Sequence, residues 1–175
     1  ICLASAVEFF HSAALLHDDV IDGARLRRGL DSVNRVWGDK TSILVGDFLV
    51  SRASHLIAQD GDLKVIRLFT RTIREMAEGE LYELDKSKNI NLSEEDYLSI
   101  IRRKTAVLFS AACECGAVLG GAPHERRSAL REFGMHLGIA FQLVDDTLDY
   151  SSPDKDLGKS RGTDLREGKV TLPLI

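Results

Sequence analysis

Two aspartate clusters, Asp18-Asp19-Val20-Ile21-Asp22 and Asp145-Asp146-Thr147-Leu148-Asp149, repeat one D-D-x-x-D spacing inside segments that otherwise read as apolar helix. Residues four apart in a helix lie one above the other, so each cluster projects its first and last carboxylates in one direction. Carboxylates gathered this way repel one another and are costly to desolvate. A chain that keeps two such claws in apolar helices is expected to fill them with divalent cations. All-oxygen donors favour Mg²⁺ over zinc. Because Mg²⁺ keeps waters and is usually completed by phosphate oxygens, a di- or polyphosphate is the expected cargo. The flanks, Ala13-Ala14-Leu15-Leu16 and Ile139-Ala140-Phe141-Gln142-Leu143-Val144, argue against the ordinary alternative of a solvated acidic face.

Helical periodicity dominates the remainder, with proline only at positions 123, 153 and 173, and the fold class it predicts is all-α. A first helix is expected from about residue 2 to Asp22, ending near Gly23, followed by a basic loop from Arg25 to Gly29. Ser32 or Asp31 can cap a short helix. Further helices are expected over about Lys40–Ala58 and Leu63–Lys86, with Asp85 to Asn91 as a loop and Ser93 as the next N-cap. Helices over about Glu94–Leu108 and Ser110–Leu119 follow, broken by Gly120-Gly121-Ala122-Pro123. The next runs from about His124 to Tyr150, with or without a break, and Ser151 to Lys169 reads as a polar, glycine-containing loop or lid.

With 175 residues, 44% hydrophobic and 29% charged, the chain can build one well-buried core. A formal charge of −4 without a long basic stripe gives no general attraction to nucleic acid. No apolar run approaches the roughly 20 residues that span a bilayer, and no cleavable signal pattern is present. A cytoplasmic location is the default expectation. Cys2, Cys113 and Cys115 are an odd number without zinc-ligand spacing and are expected as reduced thiols. The chain opens with Ile1 inside an apolar run and stops at Ile175 within a hydrophobic pattern. Residues 1–175 are therefore expected to form a single catalytic domain, incomplete at both ends.

The basic residues near the first claw carry their own chemistry. Arg25, Arg27 and Arg28 follow it within six residues, and guanidinium forks match phosphate oxygens bidentately. His11 lies two turns below Asp18 on roughly the same face, with a satisfied core histidine as the alternative; for His17 the structural role is favoured. Gln142 sits one turn before Asp145. Thr105 and Gln142 can present oxygen dipoles to a developing carbocation without supplying a nucleophile that would quench it.

The stretch Phe9-Phe10-His11-Ser12-Ala13-Ala14-Leu15-Leu16-His17-Asp18-Asp19-Val20-Ile21-Asp22, followed by Arg27-Arg28-Gly29, resembles the first aspartate-rich motif of the trans-type polyprenyl diphosphate synthases. Phe141-Gln142-Leu143-Val144-Asp145-Asp146-Thr147-Leu148-Asp149, with Gly158-Lys159 and Gly168-Lys169-Val170-Thr171-Leu172-Pro173, is similar to that family's second motif and basic tail. Val45-Gly46-Asp47-Phe48-Leu49 and Arg103-Lys104-Thr105-Ala106 match family segments in the expected order, so the resemblance covers essentially the whole chain.

The resemblance implies an antiparallel helical bundle of the isoprenoid synthase type with a central cavity. It implies a prenyltransferase that condenses isopentenyl diphosphate with an allylic diphosphate. Two or three Mg²⁺ ions would be held by Asp18, Asp22, Asp145 and Asp149; the middle carboxylates, Asp19 and Asp146, are expected from their place in each cluster to orient their neighbours. His11 and Arg28 would serve isopentenyl diphosphate, Arg27 the allylic diphosphate, and Lys104, Lys159 and Lys169 the leaving diphosphate. Asp164 resembles a further family acid near the metals. The resemblance also implies a homodimer, with the product delivered to a membrane, and a basic isopentenyl-diphosphate segment upstream of residue 1. Ala13 and Ala14, just below the first claw, leave room for a growing chain, as in enzymes making medium or long products. Phe10 could close the tunnel one turn deeper, which leaves the exact length open. Three other functions are disfavoured. A terpene cyclase would replace later aspartates of the second claw, a non-catalytic partner subunit would have lost one claw, and a phosphohydrolase would need further metal-binding histidines.

Overall fold

The computed structural model describes residues 1–87, 89–151 and 162–175. The described chain falls into two compact units, Ile1–Gly61 and Asp62–Ser151 with Gly162–Ile175. In the first unit, helix α1 (Cys2–Ile21) ends at Asp22 as C-cap, and Gly23 follows in the left-handed region at φ +62°. The basic loop closes into a small antiparallel hairpin, β1 (Leu26–Arg27) against β2 (Leu30–Asp31). Its turn places both Arg28 (φ +52°) and Gly29 (φ +79°) at positive φ, as a two-residue hairpin turn of type I′ requires. An Arg-Gly pair gives a weaker hairpin signal than Asn-Gly, which is why the ladder was not legible in the sequence.

Helix α2 (Val33–Trp37) begins after Ser32. The expected cap is not made by the Ser32 side chain, whose Oγ donates to the Ala24 carbonyl at 2.6 Å, while Asp31 pairs with Arg35. Helix α3 (Asp39–Asp60) continues past the expected Ala58 and stops at Gly61 with a left-handed C-cap. Helices α1 and α3 pack together. The buried apolar residues are Ala6, Phe10 and Ala13 on α1 and Ala53 and Ile57 on α3, at helical spacing. The close approach is marked by Gly46, where a Cβ would run into the His17 ring, and by Ser42 Oγ donating to the Leu16 carbonyl at 3.0 Å. Ile43, Leu44, Val45 and Phe48 of α3 are exposed.

In the second unit, α4 (Leu63–Lys86) is capped by Asp62, whose carboxylate accepts from Lys64 N and Val65 N. Helix α5 (Glu94–Ile101) is capped by Ser93, which accepts from Asp96 N at 3.1 Å. The interruption expected near residue 109 is absent. Instead α5 passes through a π-helical turn, Arg102–Ala106, into α6 (Val107–Leu119). A π turn inserts one residue into an otherwise helical pattern, so apolar spacing does not announce it. The turn is gripped from two sides. A Cβ on Gly79 would lie 2.7 Å from Arg103 Cβ, and one on Gly138 would lie 2.5 Å from Ala106 Cα. Helix α7 (His124–Ser151) is unbroken. Leu92, Tyr97, Ile100 and Ile101 form a buried cluster against which Ile139, Leu143 and Val170 pack. Among the described residues, no helix is long and apolar enough to cross a membrane.

Candidate active site

Both aspartate clusters occupy C-terminal ends of long helices, α1 and α7, and neither helix has a basic residue in its last turn. The negative end of each helix dipole therefore adds to the carboxylates' own potential. Such ends are unfavourable in isolation and attract cations.

The first cluster divides by burial. Asp18 and Asp22 are half-buried, whereas Asp19 is buried. Asp19 Oδ1 accepts from Arg27 Nε at 3.0 Å and also from Arg27 Nη2, and its carbonyl accepts from Asn34 Nδ2 at 3.0 Å. Arg27, expected on the allylic diphosphate, is thus anchored to the middle carboxylate, while Arg28 is exposed at the hairpin turn. His11 and Ala14 are half-buried, and Ala13 and Phe10 lie on the packed stripe of α1. His17 fulfils its structural reading, with Nε2 3.2 Å from the Ile43 carbonyl and 3.4 Å from Asp47.

The second cluster divides differently. Asp145 is exposed, Asp146 is 4% exposed and Asp149, expected as a metal ligand, has no exposed surface. Asp149 Oδ2 accepts from Asp164 N at 3.3 Å and its carbonyl accepts from Gly162 N at 3.0 Å. Asp164 in turn accepts through its carbonyl from Lys169 N at 2.9 Å. Asp149 therefore secures the returning segment that carries Lys169, whose ammonium lies 3.1 Å from Glu167. Asp164 serves this backbone link. Lys159 lies outside the described residues.

Behind the second cluster runs a buried network that spacing did not reveal. Tyr97 donates from its hydroxyl to Asp146 Oδ2 at 2.6 Å. Gln142 Nε2 donates to Asp146 Oδ1 at 2.8 Å, and Thr105 Oγ1 donates to Gln142 Oε1 at 2.8 Å. Burial, reinforced by the hydrogen bond to Asp146, pushes the Tyr97 phenol well above its ordinary value, so it remains a donor. Lys104, at the π turn, is held by Glu80 at 2.7 Å and Glu83 at 2.6 Å. No sequence signal pointed to Tyr97. The i, i+3 spacing of Glu80 and Glu83 placed them on one face of α4 without naming their partner.

Among the described residues, no group of three or more His, Cys, Asp or Glu side chains is arranged to hold a metal ion by itself. Mg²⁺ is usually held by one or two carboxylates, waters and substrate phosphates instead of an all-protein cage. Asp18, Asp22 and Asp145 offer such oxygens.

The sequence matches the polyprenyl synthetase family model over residues 1–175. It is 43% identical to the octaprenyl diphosphate synthase of Escherichia coli K12 over 175 residues, covering 100% of this chain and 54% of that protein. Against the all-trans-nonaprenyl-diphosphate synthase of Rhodobacter capsulatus the identity is 46%, covering 99% of this chain and 53% of the relative. The structure superimposes with a TM-score of 0.96 on a polyprenyl synthase from Caulobacter crescentus CB15 in complex with calcium and isoprenyl diphosphate. That protein is 50% identical, and the match covers 98% of this chain and 52% of the other. The chain thus spans about half the length of these relatives.

Proposed function

This chain belongs to the polyprenyl synthetase family, with its all-α isoprenoid synthase fold, and from that premise we propose the activity of the protein that contains it. It condenses isopentenyl diphosphate with an allylic diphosphate to build a medium- or long-chain all-trans polyprenyl diphosphate. The observation that carries this reading is the pair of helix-end clusters, the first with accessible carboxylates at Asp18 and Asp22 beside Arg27 and the second with one at Asp145 beside an amide-lined network. The eight- and nine-unit products in the names of the relatives support the longer class.

Asp18, Asp22 and Asp145 would hold two or three Mg²⁺ ions, and Asp149 contributes by holding the 162–171 segment. When bound, Mg²⁺ supplies Lewis-acid withdrawal of electron density from the diphosphate, easing its departure from the allylic carbon. Arg27, Lys104 and Lys169, with Lys159, bind diphosphate oxygens, and His11 with Arg28 takes isopentenyl diphosphate. Lys104 reaches its ligand from a position set by Glu80 and Glu83, which keeps its long side chain ordered. Oxygen dipoles of Thr105 and Gln142 face the cation as it develops. The double bond of isopentenyl diphosphate attacks that carbon, and the proton then lost passes to the departing pyrophosphate. Ala14, one turn below Asp18 on the same face, leaves space for the growing chain.

The protein acts as a homodimer through the exposed apolar residues of α3. It works in the cytoplasm and passes its product to a membrane. The test is an assay of the full-length protein with an allylic primer, isopentenyl diphosphate and Mg²⁺, followed by chromatography of dephosphorylated products. Successive five-carbon additions, abolished by chelation and restored by Mg²⁺, are the expected result; absence of condensation overturns the reading.

A further inference from the structure

The chain Tyr97, Asp146, Gln142, Thr105 has a direction, and that direction follows from which atoms can donate. Tyr97 is 2% exposed and donates to Asp146 Oδ2 at 2.6 Å. An ionised carboxylate only accepts, so whatever faces Asp146 Oδ1 must be a donor. Gln142 meets this demand by turning Nε2 toward it at 2.8 Å. Its Oε1 is then committed to the other side, where the Thr105 hydroxyl must give up its proton at 2.8 Å. With the amide reversed, two acceptors would oppose each other across a hydrogen-bond distance at a carboxylate that is 4% exposed, which is costly.

We propose that Tyr97 and Asp146 are positioning residues for prenyl transfer, fixing through Gln142 the direction in which the Gln142 carbonyl and the Thr105 hydroxyl present their oxygens. The inference rests on the reading that these two groups face the allylic cation. Asp146, although part of a motif that reads as metal-binding, orients an amide. Tyr97, from a different helix, keeps Asp146 in place.

Two measurements on the full-length protein test this. Gln142→Glu alone opposes two carboxylates, and Asp146→Asn alone opposes two amide donors, breaks the Tyr97 bond or reverses Gln142 so that Thr105 must accept. With both exchanges present, the new amide at position 146 donates to the new carboxylate at 142 while its carbonyl still accepts from Tyr97, so the direction is kept. Each single exchange is expected to lower the melting midpoint by about 4 °C or more, and the double exchange to recover most of that loss. Separately, Tyr97→Phe is expected to reduce kcat about 10-fold while leaving KM for both diphosphates within about 2-fold, and to have almost no effect on kcat in a Gln142→Ala background. Additive melting losses, or a kcat effect of Tyr97→Phe that is the same with and without Gln142, overturn the inference while prenyl transfer by the wild-type protein stands. A wild-type protein without prenyl transfer overturns the functional reading and the positioning role together. If Tyr97→Phe fails to fold, the melting cycle of the paired exchanges decides.

Discussion

The two aspartate clusters share one spacing, yet their last members meet different environments. Helix α1 stops at Ile21, so Asp22 falls on the C-cap and stays half-buried. Helix α7 continues to Ser151, so Asp149 is still a helical residue, and it is fully buried and bonded to the returning segment at Gly162 and Asp164. The middle members are both buried, but one is paired with a cation, Arg27, and the other accepts hydrogen bonds from the neutral donors Tyr97 and Gln142. One motif thus combines accessible carboxylates with buried fasteners, and the identity of each follows from where the helix ends and what packs on it.

The sharpest way to break this division is to alter the accessible members. Asp18→Asn or Asp145→Asn in the full-length protein is expected to lower turnover by at least about 10²-fold, the scale of removing a major electrostatic contact in a transition state. The melting midpoint should stay nearly unchanged. Near wild-type turnover in both variants would remove the basis for treating the clusters as a metal-binding pair.

Buried members should behave in the opposite sense. Asp19→Ala leaves Arg27 without its carboxylate partner, and Asp149→Ala releases the Asp164 amide. Each is expected to cost about 1–3 kcal/mol of stability, read by chemical denaturation. A cost no greater than that of Asp145→Ala would show that burial does not separate the two roles.

The smallest expected effect compares two neighbours on α1. Ala14 is half-buried and one turn below Asp18, whereas Ala13 is fully buried with Phe10 on the packed stripe. Ala14→Phe should shorten the product by a few five-carbon units with little loss of stability. Ala13→Phe must displace packed neighbours and should cost about 1–3 kcal/mol, whether or not it also shortens the chain. Unchanged product lengths in both variants would mean that this part of α1 does not line the path of the growing chain.

Local chemistry was sufficient wherever neighbours in sequence decide the outcome. Ser93 could be recognised as a cap because an N-cap oxygen serves amides two or three residues ahead. The span Leu63–Lys86 and the break at Gly120-Gly121-Ala122-Pro123 followed from periodicity and breakers, and the repeated D-D-x-x-D marked the candidate site. Tertiary structure decided everything that depends on a partner distant in sequence. Arg27 turned inward to Asp19, Lys104 came between Glu80 and Glu83, and Tyr97 reached Asp146 from another helix. The π turn formed where Gly79 and Gly138 admit the backbone of α4 and α7 on either side of it. Spacing sets the direction of a side chain about its own helix axis, but burial and hydrogen-bond partners are properties of the surface against which that helix is packed.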